Sequence, residues 1–437
     1  MEKDFKNHLK TNFPFLGTSR ILLAVSGGLD SMVLAHLCKK ARLNFAIAHC
    51  NFNLRGEESD ADENFVVDTG DALEVEVFTE SFDTTQYAVQ HKISTQMAAR
   101  DLRYSWFRHL SAALKFDYIL TAHHANDNLE TFLINLVRGT GLEGFTGIRD
   151  ENNKLVRPFL PFARKQIQEY AEQNSIPWRE DSSNASDKYL RNKIRHNVVP
   201  VLEEINPQLL QNFAKTQSHL NDSFQLVEDY LSLLYPEIVS KNKFGYELKI
   251  EALQKVRNTK AILYELLKSF KFTEWNDVFG LLSAQPGKMI FSETHRLIKD
   301  REVLILTEKK EDSEISEYHI PEGEKVVMLP PGKFYISKVS KITTTSENII
   351  YVDEEKLKFP LTLRKWKKGD FFFPFGMKGK KKVSDFFKDR KLSLPEKENS
   401  WILESGNKIV WIVNLRADNR FAITDPSQQI LKISYFE

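Results

Sequence analysis

Cysteine is nearly absent, with only Cys38 and Cys50 in 437 residues. Two thiols exclude a disulfide framework and a cysteine-held metal cluster, and they fit buried groups in a reducing cytoplasm. Net charge is nearly absent too, since 61 Lys and Arg face 60 Asp and Glu. The overall balance therefore names no partner; only its local distribution can. No apolar run approaches the ~20 residues of a membrane span, and the opening MEKDFKNHLK lacks the apolar core of a secretion signal. The expectation is a soluble cytoplasmic protein with no membrane contact. No internal repeat or low-complexity tract interrupts the chain. Its length predicts roughly two to four domains, each able to bury a core.

What is present is concentrated first in Ile21–Ser31, ILLAVSGGLDS. Ile21–Val25 is a short apolar run of strand type, and Ser26-Gly27-Gly28 breaks it. From Leu29 to Lys40 the apolar positions Leu29, Met32, Val33, Ala35, Leu37 and Cys38 follow a helical pattern. A glycine turn between strand and helix brings backbone N–H groups and a helix N-terminus to one point, an arrangement that binds phosphate. Ser26 and Ser31 add hydroxyl donors. Asp30 is unexpected beside a phosphate unless it holds Mg2+ or favours the helix N-terminus. No Gly-Lys-Ser/Thr follows, so this is not a Walker A loop.

Further strands are predicted at Asn44–Cys50, Glu74–Glu80 and Tyr118–Ala122, with helices over Glu57–Leu73, Ser94–Leu114 and about Asn126 to Val137. Alternating strands and helices argue an α/β fold with a parallel sheet covered on both faces. Ligands bind such sheets at the carboxyl ends of the strands, where Ser26-Gly27-Gly28, His49 and His123-His124 fall. Arg138–Gly147 holds four glycines and reads as a flexible loop. Val156–Pro161 is extended, Ala163–Asn174 helical, Trp178–Asp187 a polar loop, and Tyr189–His196 the start of another helix. Composition shifts at Pro200 and Pro207, which gives a first domain over 1–207. Residues 208–310 read as a mostly helical middle domain, and 311–437 as a linker with a small α/β C-terminal domain. Eleven Lys and Arg lie within Arg364–Lys391, opposed only by Asp370, Asp385 and Asp389. Trp366 and Phe371–Phe375 interleave with them, as a stacking surface for unpaired bases or as the core of that domain.

Two constellations carry chemistry. Asp127 and Glu130 are three apart at a helix start and share a face. Beside a phosphate site they suit Mg2+ or an amine substrate; the plain alternative is an acidic first turn opposing the helix dipole. Zinc is excluded, since no HExxH pattern or cysteine ligand is near. Arg191 and Arg195 are i,i+4 on one helix, with His196 adjacent, and such a fork suits phosphate or carboxylate. Its plain alternative is a solvated basic face.

SGGLDS at 26–31 resembles the SGGxDS loop of the PP-loop ATP-pyrophosphatases, with all fixed letters matched. His49 with Leu54-Arg55-Gly56-Glu57-Glu58-Ser59, Ala99-Arg100 with Arg103-Tyr104, and Ala122-His123-His124 with Asp127 and Glu130-Thr131 extend the match. So do Arg138-Gly139 with Gly141-Leu142 and Gly144, Arg157-Pro158-Phe159-Leu160, and Arg191-Asn192 with Ile194-Arg195-His196. Together they resemble the tRNA(Ile)-lysidine synthetase family over most of residues 20–200. The basic C-terminal stretch with Gly369-Asp370 and Lys380–Lys382 is similar to that family's tRNA-binding domain. One departure is Phe52, where the family often has a second histidine three residues after His49.

The resemblance implies an ATP-dependent carbon–nitrogen ligase on an adenine nucleotide α-hydrolase-like fold. ATP would lie over Ser26, Gly27, Gly28, Leu29, Asp30 and Ser31 with Mg2+ on Asp30, and His49 and Arg100 beside it. O2 of the wobble cytidine in a CAU-anticodon tRNA(Ile) would be adenylated, and free lysine would displace AMP. The resemblance makes Asp30, Asp127, Glu130, Arg191 and Arg195 the catalytic set. His123, Arg138, Asn192, His196, Lys380, Lys381 and Lys382 would contact lysine or tRNA, with a homodimer left open. Competing PP-loop readings fit less well. A thiolase needs a persulfide cysteine or a cysteine-held cluster, and amidotransferase-type synthetases need a catalytic cysteine. A non-enzymatic tRNA binder would not need an intact SGGLDS.

Overall fold

The sheet that carries the glycine turn is built outward from its most apolar strand. A computed structural model of the chain describes residues 1–180, 190–309, 317–329, 332–424 and 429–436. Strand β1 (Arg20–Ala24) pairs in parallel with β2 (Asn44–Asn51) on one side and β4 (Tyr118–Leu120) on the other. Strand β3 (Val77–Ser81) pairs with β2, and β6 (Leu155–Val156) with β4, both parallel. The antiparallel strand β5 (Glu151–Asn152) completes the order β3-β2-β1-β4-β6-β5.

Side chains alternate across a strand, and β1 shows the consequence. Ile21 and Leu23 enter one core, with Phe5 and Leu9 of α1 (Glu2–Asn12), Met32, Val33 and Leu37 of α2 (Leu29–Lys40), Val66 and Leu73 of α3 (Glu57–Leu73), and Ile167 and Tyr170 further along the chain. Leu22 enters the core on the opposite face, with Phe107 and Phe116. All three are fully buried, each worth about 1.5–3 kcal/mol over exposure. That two-sided burial is why β1 reads as a continuous apolar run.

Helix α4 (Thr84–His91) leads into α5 (Thr95–Ala113), which starts where the Ser94 side chain accepts the Met97 N–H. Helix α6 (Ala125–Arg138) follows β4 directly. The glycine-rich stretch after it contains one turn of helix, α7 (Leu142–Phe145), flanked by Gly139 and Gly147 at positive φ. Next come α8 (Arg164–Gln173), α9 (Leu190–Asn197), α10 (Val199–Ile205) and the long α11 (Leu209–Ile238). Leu129 of α6 packs with Ile194 of α9, Val199 of α10 and Phe213 of α11, so α9 is seated on the helix that carries Asp127 and Glu130. Of the polar loop expected over Trp178–Asp187, residues 181–187 lie outside the described residues.

The chain divides into two units, Met1–Asp229 and Tyr230–Glu437. The second begins with a region expected to be mostly helical. It is helical over Ile250–Lys255, Thr259–Leu267 and Trp275–Gly280, but it also holds a five-stranded antiparallel sheet. Those strands are short, from Met289–Phe291 at three residues to His295–Asp300 and Val303–Glu308 at six. Leu248, Leu297, Leu304 and Leu306 bury one face of it against Leu253, Ile262 and Leu263 of the helices.

The C-terminal part packs a five-stranded and a four-stranded sheet around Trp411, Phe334, Leu363 and Ile433. A smaller core holds Phe372, Val383, Phe386 and Phe387 against Ile402, Ile409 and Ile412. Of the phenylalanines in the basic stretch, Phe372, Phe386 and Phe387 are therefore core and Phe373 is half-buried, while Phe371 and Phe375 stay exposed at 37% and 52%. Arg364 is also structural, donating to both oxygens of Asp370 at 2.8 and 3.0 Å and to Glu404 at 2.6 Å.

Candidate active site

The carboxyl ends of β1, β2 and β4 open into a cleft of about 1330 Å³. After β1 the chain turns at Gly27, whose φ of +84° suits glycine. Ser31 ties the turn together: its hydroxyl donates to the Gly28 carbonyl at 2.9 Å and accepts the Ser26 N–H at 3.1 Å. Gly28 is the N-cap of α2 and offers no side chain to the helix N–H groups, which therefore point outward with the positive end of the dipole. A Cβ on Gly28 would meet only the Ser26 hydroxyl at 3.5 Å. Its bareness keeps space open for a ligand, not for a neighbouring chain. His49 is buried and bonds through Nδ1 to the Val25 carbonyl at 2.9 Å, bracing the strand end just before the turn. Burial pushes its imidazole down, so the ring is neutral, with Nδ1 donating.

Asp30 projects from the first turn of α2. One carboxylate oxygen is buried without a partner, and the other lies 3.6 Å from His124 Nε2. A buried carboxylate oxygen left unpaired costs on the order of 1–3 kcal/mol, so the position is made for something that arrives. No group of three or more potential protein ligands gathers there among the described residues. That donor set fits Mg2+, which binds through one or two carboxylates with phosphate oxygens and waters, and it does not fit zinc.

On the β4 side, His124 caps α6. Its Nδ1 accepts the Asp127 backbone N–H at 3.3 Å, and the His124 backbone N–H donates to Asp127 Oδ2 at 3.1 Å. Burial alone pushes the His124 imidazole down, but Asp127, Asp30 and Glu130 outweigh it and raise it. Burial alone would raise the Asp127 carboxyl; His124, His123 and Arg191 more than offset that and hold it below the usual range. His123 points into the cleft, pairs with the Thr121 hydroxyl at 2.9 Å, and is pushed by burial down to about 4.

Glu130 has a different environment from Asp127. Its side chain is 2% exposed and accepts Arg191 Nε at 2.9 Å, Arg195 Nε at 2.6 Å and Arg195 Nη2 at 3.0 Å. Arg195 also reaches Asp127 Oδ1 at 3.2 Å, and Arg191 reaches the Thr131 hydroxyl at 3.0 Å. The four side chains form one network in which Glu130 is saturated by cations. Asp127, Arg191 and Arg195 line the cleft; Glu130 stands behind them.

The other sequence candidates fall in distinct places. Ser26, Gly28, Leu29, Asp30, Ser31, His49 and His123 all line the cleft. Arg100 instead lies over the Tyr104 ring at 5.0 Å and is not on the cleft wall; Arg103, on the same helix, is. The signal was available, since Gln96, Ala99 and Arg103 follow the i, i+3, i+7 spacing of one helical face. Arg138 is exposed at the far end of α6, about 16 Å along the helix from Asp127 at 1.5 Å per residue. Asn192 and His196 are on α9 but not on the cleft wall. Lys380, Lys381 and Lys382 belong to the second unit. Lys380 lies 3.4 Å above the Phe371 ring, and Lys381 pairs with Asp389 at 2.5 Å. Phe52 lines the cleft and stacks on Phe82 with centroids 5.9 Å apart, so that position offers an aromatic surface and no titratable group.

Comparison with known proteins gives this geometry its family. A PP-loop domain model matches residues 1–202, a TilS substrate binding domain model 241–309, and a TilS substrate C-terminal domain model 361–435. A tRNA(Ile)-lysidine synthase of Parabacteroides distasonis is 41% identical over 423 residues, 95% of this chain and 95% of its own. One from Bacteroides thetaiotaomicron is 37% identical over 98% of this chain and 96% of its own. One from Bacillus subtilis is 31% identical over 99% and 97%. With three successive domain models matched in order and relatives aligned over nearly their whole length, the chain belongs to the tRNA(Ile)-lysidine synthase family.

Proposed function

We propose that this protein ligates free lysine to C2 of the wobble cytidine in a CAU-anticodon tRNA(Ile), using ATP. The observation that carries the reading is the unpartnered Asp30 oxygen beside an uncapped helix N-terminus and a bare Gly28. That combination accommodates a polyphosphate and its cation in one place. Mg2+ held by Asp30 would offset charge on the phosphates. The Ser26–Ser31 turn binds the β- and γ-phosphates through backbone N–H groups and hydroxyls.

Cytidine O2 attacks the α-phosphorus, an O–P bond forms, the α–β bridge breaks and pyrophosphate leaves. The lysine ε-amine then attacks C2; the C2–O2 bond breaks and AMP departs carrying that oxygen. Arg191 and Arg195, held by Glu130 at the cleft wall, stabilise the charge that develops on the phosphate and on AMP. Asp127 receives the incoming ammonium, which gives up a proton to water before attack. His123, kept neutral by burial, accepts or donates a hydrogen bond without bringing a competing cation.

Thiolation is disfavoured by the state of the two cysteines. Cys38 is buried in α2 with its thiol pushed far up by burial, and burial pushes the Cys50 thiol up to about 12; neither is a nucleophile at neutral pH. The C-terminal basic stretch, with Phe371 beneath Lys380, supports tRNA as the polymer bound. On this reading the reaction is cytoplasmic, and sedimentation of the free protein distinguishes a monomer from a homodimer.

The deciding experiment incubates the protein with ATP, radiolabelled lysine and a CAU-anticodon tRNA transcript. Label should enter the tRNA only when the wobble base is cytidine, and Asp30→Asn should abolish transfer while tRNA binding persists. Transfer to a transcript lacking that cytidine, or full activity of Asp30→Asn, overturns the reading.

A further inference from the structure

The cleft has a second buried carboxylate, on the opposite side of the glycine turn from Glu130. Asp62 of α3 is 8% exposed and lines the cleft. One of its oxygens accepts Arg55 Nη2 at 2.7 Å; the other accepts Arg179 Nε. Both arginines are on the cleft wall, with side chains 27% and 40% exposed. The Arg179 backbone N–H donates to the Gly27 carbonyl at 3.0 Å, and a Cβ on Gly27 would meet Phe65, Val66 and the Asp62 carbonyl at 3.5–3.9 Å. Asp62 therefore does on the β2 side what Glu130 does on the β4 side. Each is a buried carboxylate that holds two guanidinium groups next to the turn.

Resting on the reading of this cleft as an ATP site, we propose that Asp62 is a positioning residue and that Arg55 and Arg179 are a second cationic fork for the nucleotide's phosphates. The chemistry calls for one. The leaving pyrophosphate carries several negative charges, while the helix N-terminus supplies only about half a positive charge. Guanidinium groups match phosphate oxygens through paired N–H donors. A carboxylate that binds two arginines holds their rotamers before the nucleotide arrives, which lowers the ordering cost of binding. Arg179 is coupled to the turn twice, through its backbone to Gly27 and through its side chain to Asp62, so displacing one displaces the other.

The test uses the full chain and reads nucleotide binding apart from turnover. Binding of α,β-methylene ATP, which cannot be cleaved between the α- and β-phosphates, is measured by calorimetry, and pyrophosphate is titrated as a product inhibitor of lysine transfer. Asp62→Asn should weaken both by about tenfold, with the KM for lysine unchanged. Arg179→Gln, at a more exposed position, should weaken both by several-fold while leaving the melting temperature near that of the parent. Because Arg179 is held through Asp62, the double variant should lose less than the product of the single losses. Asp62→Glu should recover part of the affinity. The proposal is overturned if Asp62→Asn lowers the melting temperature while analogue and pyrophosphate affinities stay put, or if Arg179→Gln leaves both affinities unchanged. Failure of the parent protein to transfer lysine at all would instead count against the assigned function, whatever the arginine variants do.

Discussion

Replacing Glu130 tests how the cleft is built. Glu130 is 2% exposed and takes three charged hydrogen bonds, at 2.9, 2.6 and 3.0 Å, from Arg191 and Arg195. Removing one partner of a buried ion pair typically costs about 3–5 kcal/mol, because the remaining charge is left without compensation. Here the arginine side chains are 40% and 26% exposed, so each can turn partly toward water, and solvent screening discounts the loss. Glu130→Ala should therefore cost about 2–4 kcal/mol, and Glu130→Gln, which keeps one acceptor oxygen, about 1–2 kcal/mol.

The loss is local to the seat of α9 on α6, so amide exchange read by mass spectrometry is the suitable assay. Peptides covering Leu190–Asn197 should lose roughly thirtyfold to a thousandfold of protection in the alanine variant. Peptides from β1 should change little. Steady-state kinetics then separate two roles. If Glu130 acts by holding the arginines, kcat falls and the KM for lysine moves little. A Glu130→Gln variant that raises only the KM for lysine, with exchange in α9 unaltered, would refute the anchoring role and make Glu130 a direct substrate contact.

Gly28→Ala should fold normally, since its Cβ meets only the Ser26 hydroxyl at 3.5 Å, yet it should raise the KM for ATP by filling space reserved for phosphate; an unchanged KM refutes the close approach. Neutralising Lys380, Lys381 and Lys382 should flatten the salt dependence of tRNA affinity by about one unit of log–log slope per lysine in phosphate contact, and an unchanged slope removes the stretch from the interface. His123 titrates at about 4 in the fold, below the ~6.5 of a free imidazole. Between these values the unfolded chain holds a proton that the folded chain does not. Stability therefore rises with pH across that window, by at most about 1.4 kcal/mol per pH unit. The contribution is complete above about 6.5 and lost as pH falls through about 4. An NMR titration of the His123 ring with a midpoint near 6.5 would contradict its burial.

What was legible in the sequence was local. The turn at Ser26–Ser31 follows from glycines between a strand pattern and a helix pattern, and its hydrogen bonds span five residues or fewer. The cap between His124 and Asp127 spans three. The sheet of the first unit followed from β1 and β2, whose consecutive buried apolar residues need no alternation to be read. The sheet of the second unit did not, because strands of three to six residues carry too few alternations to compete with the helical periodicity around them.

The division of labour among carboxylates was not legible for a different reason. Asp30, Asp62, Asp127 and Glu130 are similar residues near helix starts, and spacing alone makes any of them a candidate for metal or amine. Their roles are set by pairings that spacing does not encode. Glu130 meets Arg195 across 65 residues, and Asp62 meets Arg179 across 117. Once those partners are in place, Glu130 and Asp62 have had their charge answered by the protein itself. Asp127 is partly answered, by His124 and Arg195. Asp30 keeps one buried oxygen with nothing bonded to it. A carboxylate whose valences the fold satisfies can position its partners, whereas one the fold leaves short must be completed from outside. On that criterion we propose the phosphate-side cation for Asp30 and the amine for Asp127, while Glu130 and Asp62 each hold an arginine pair.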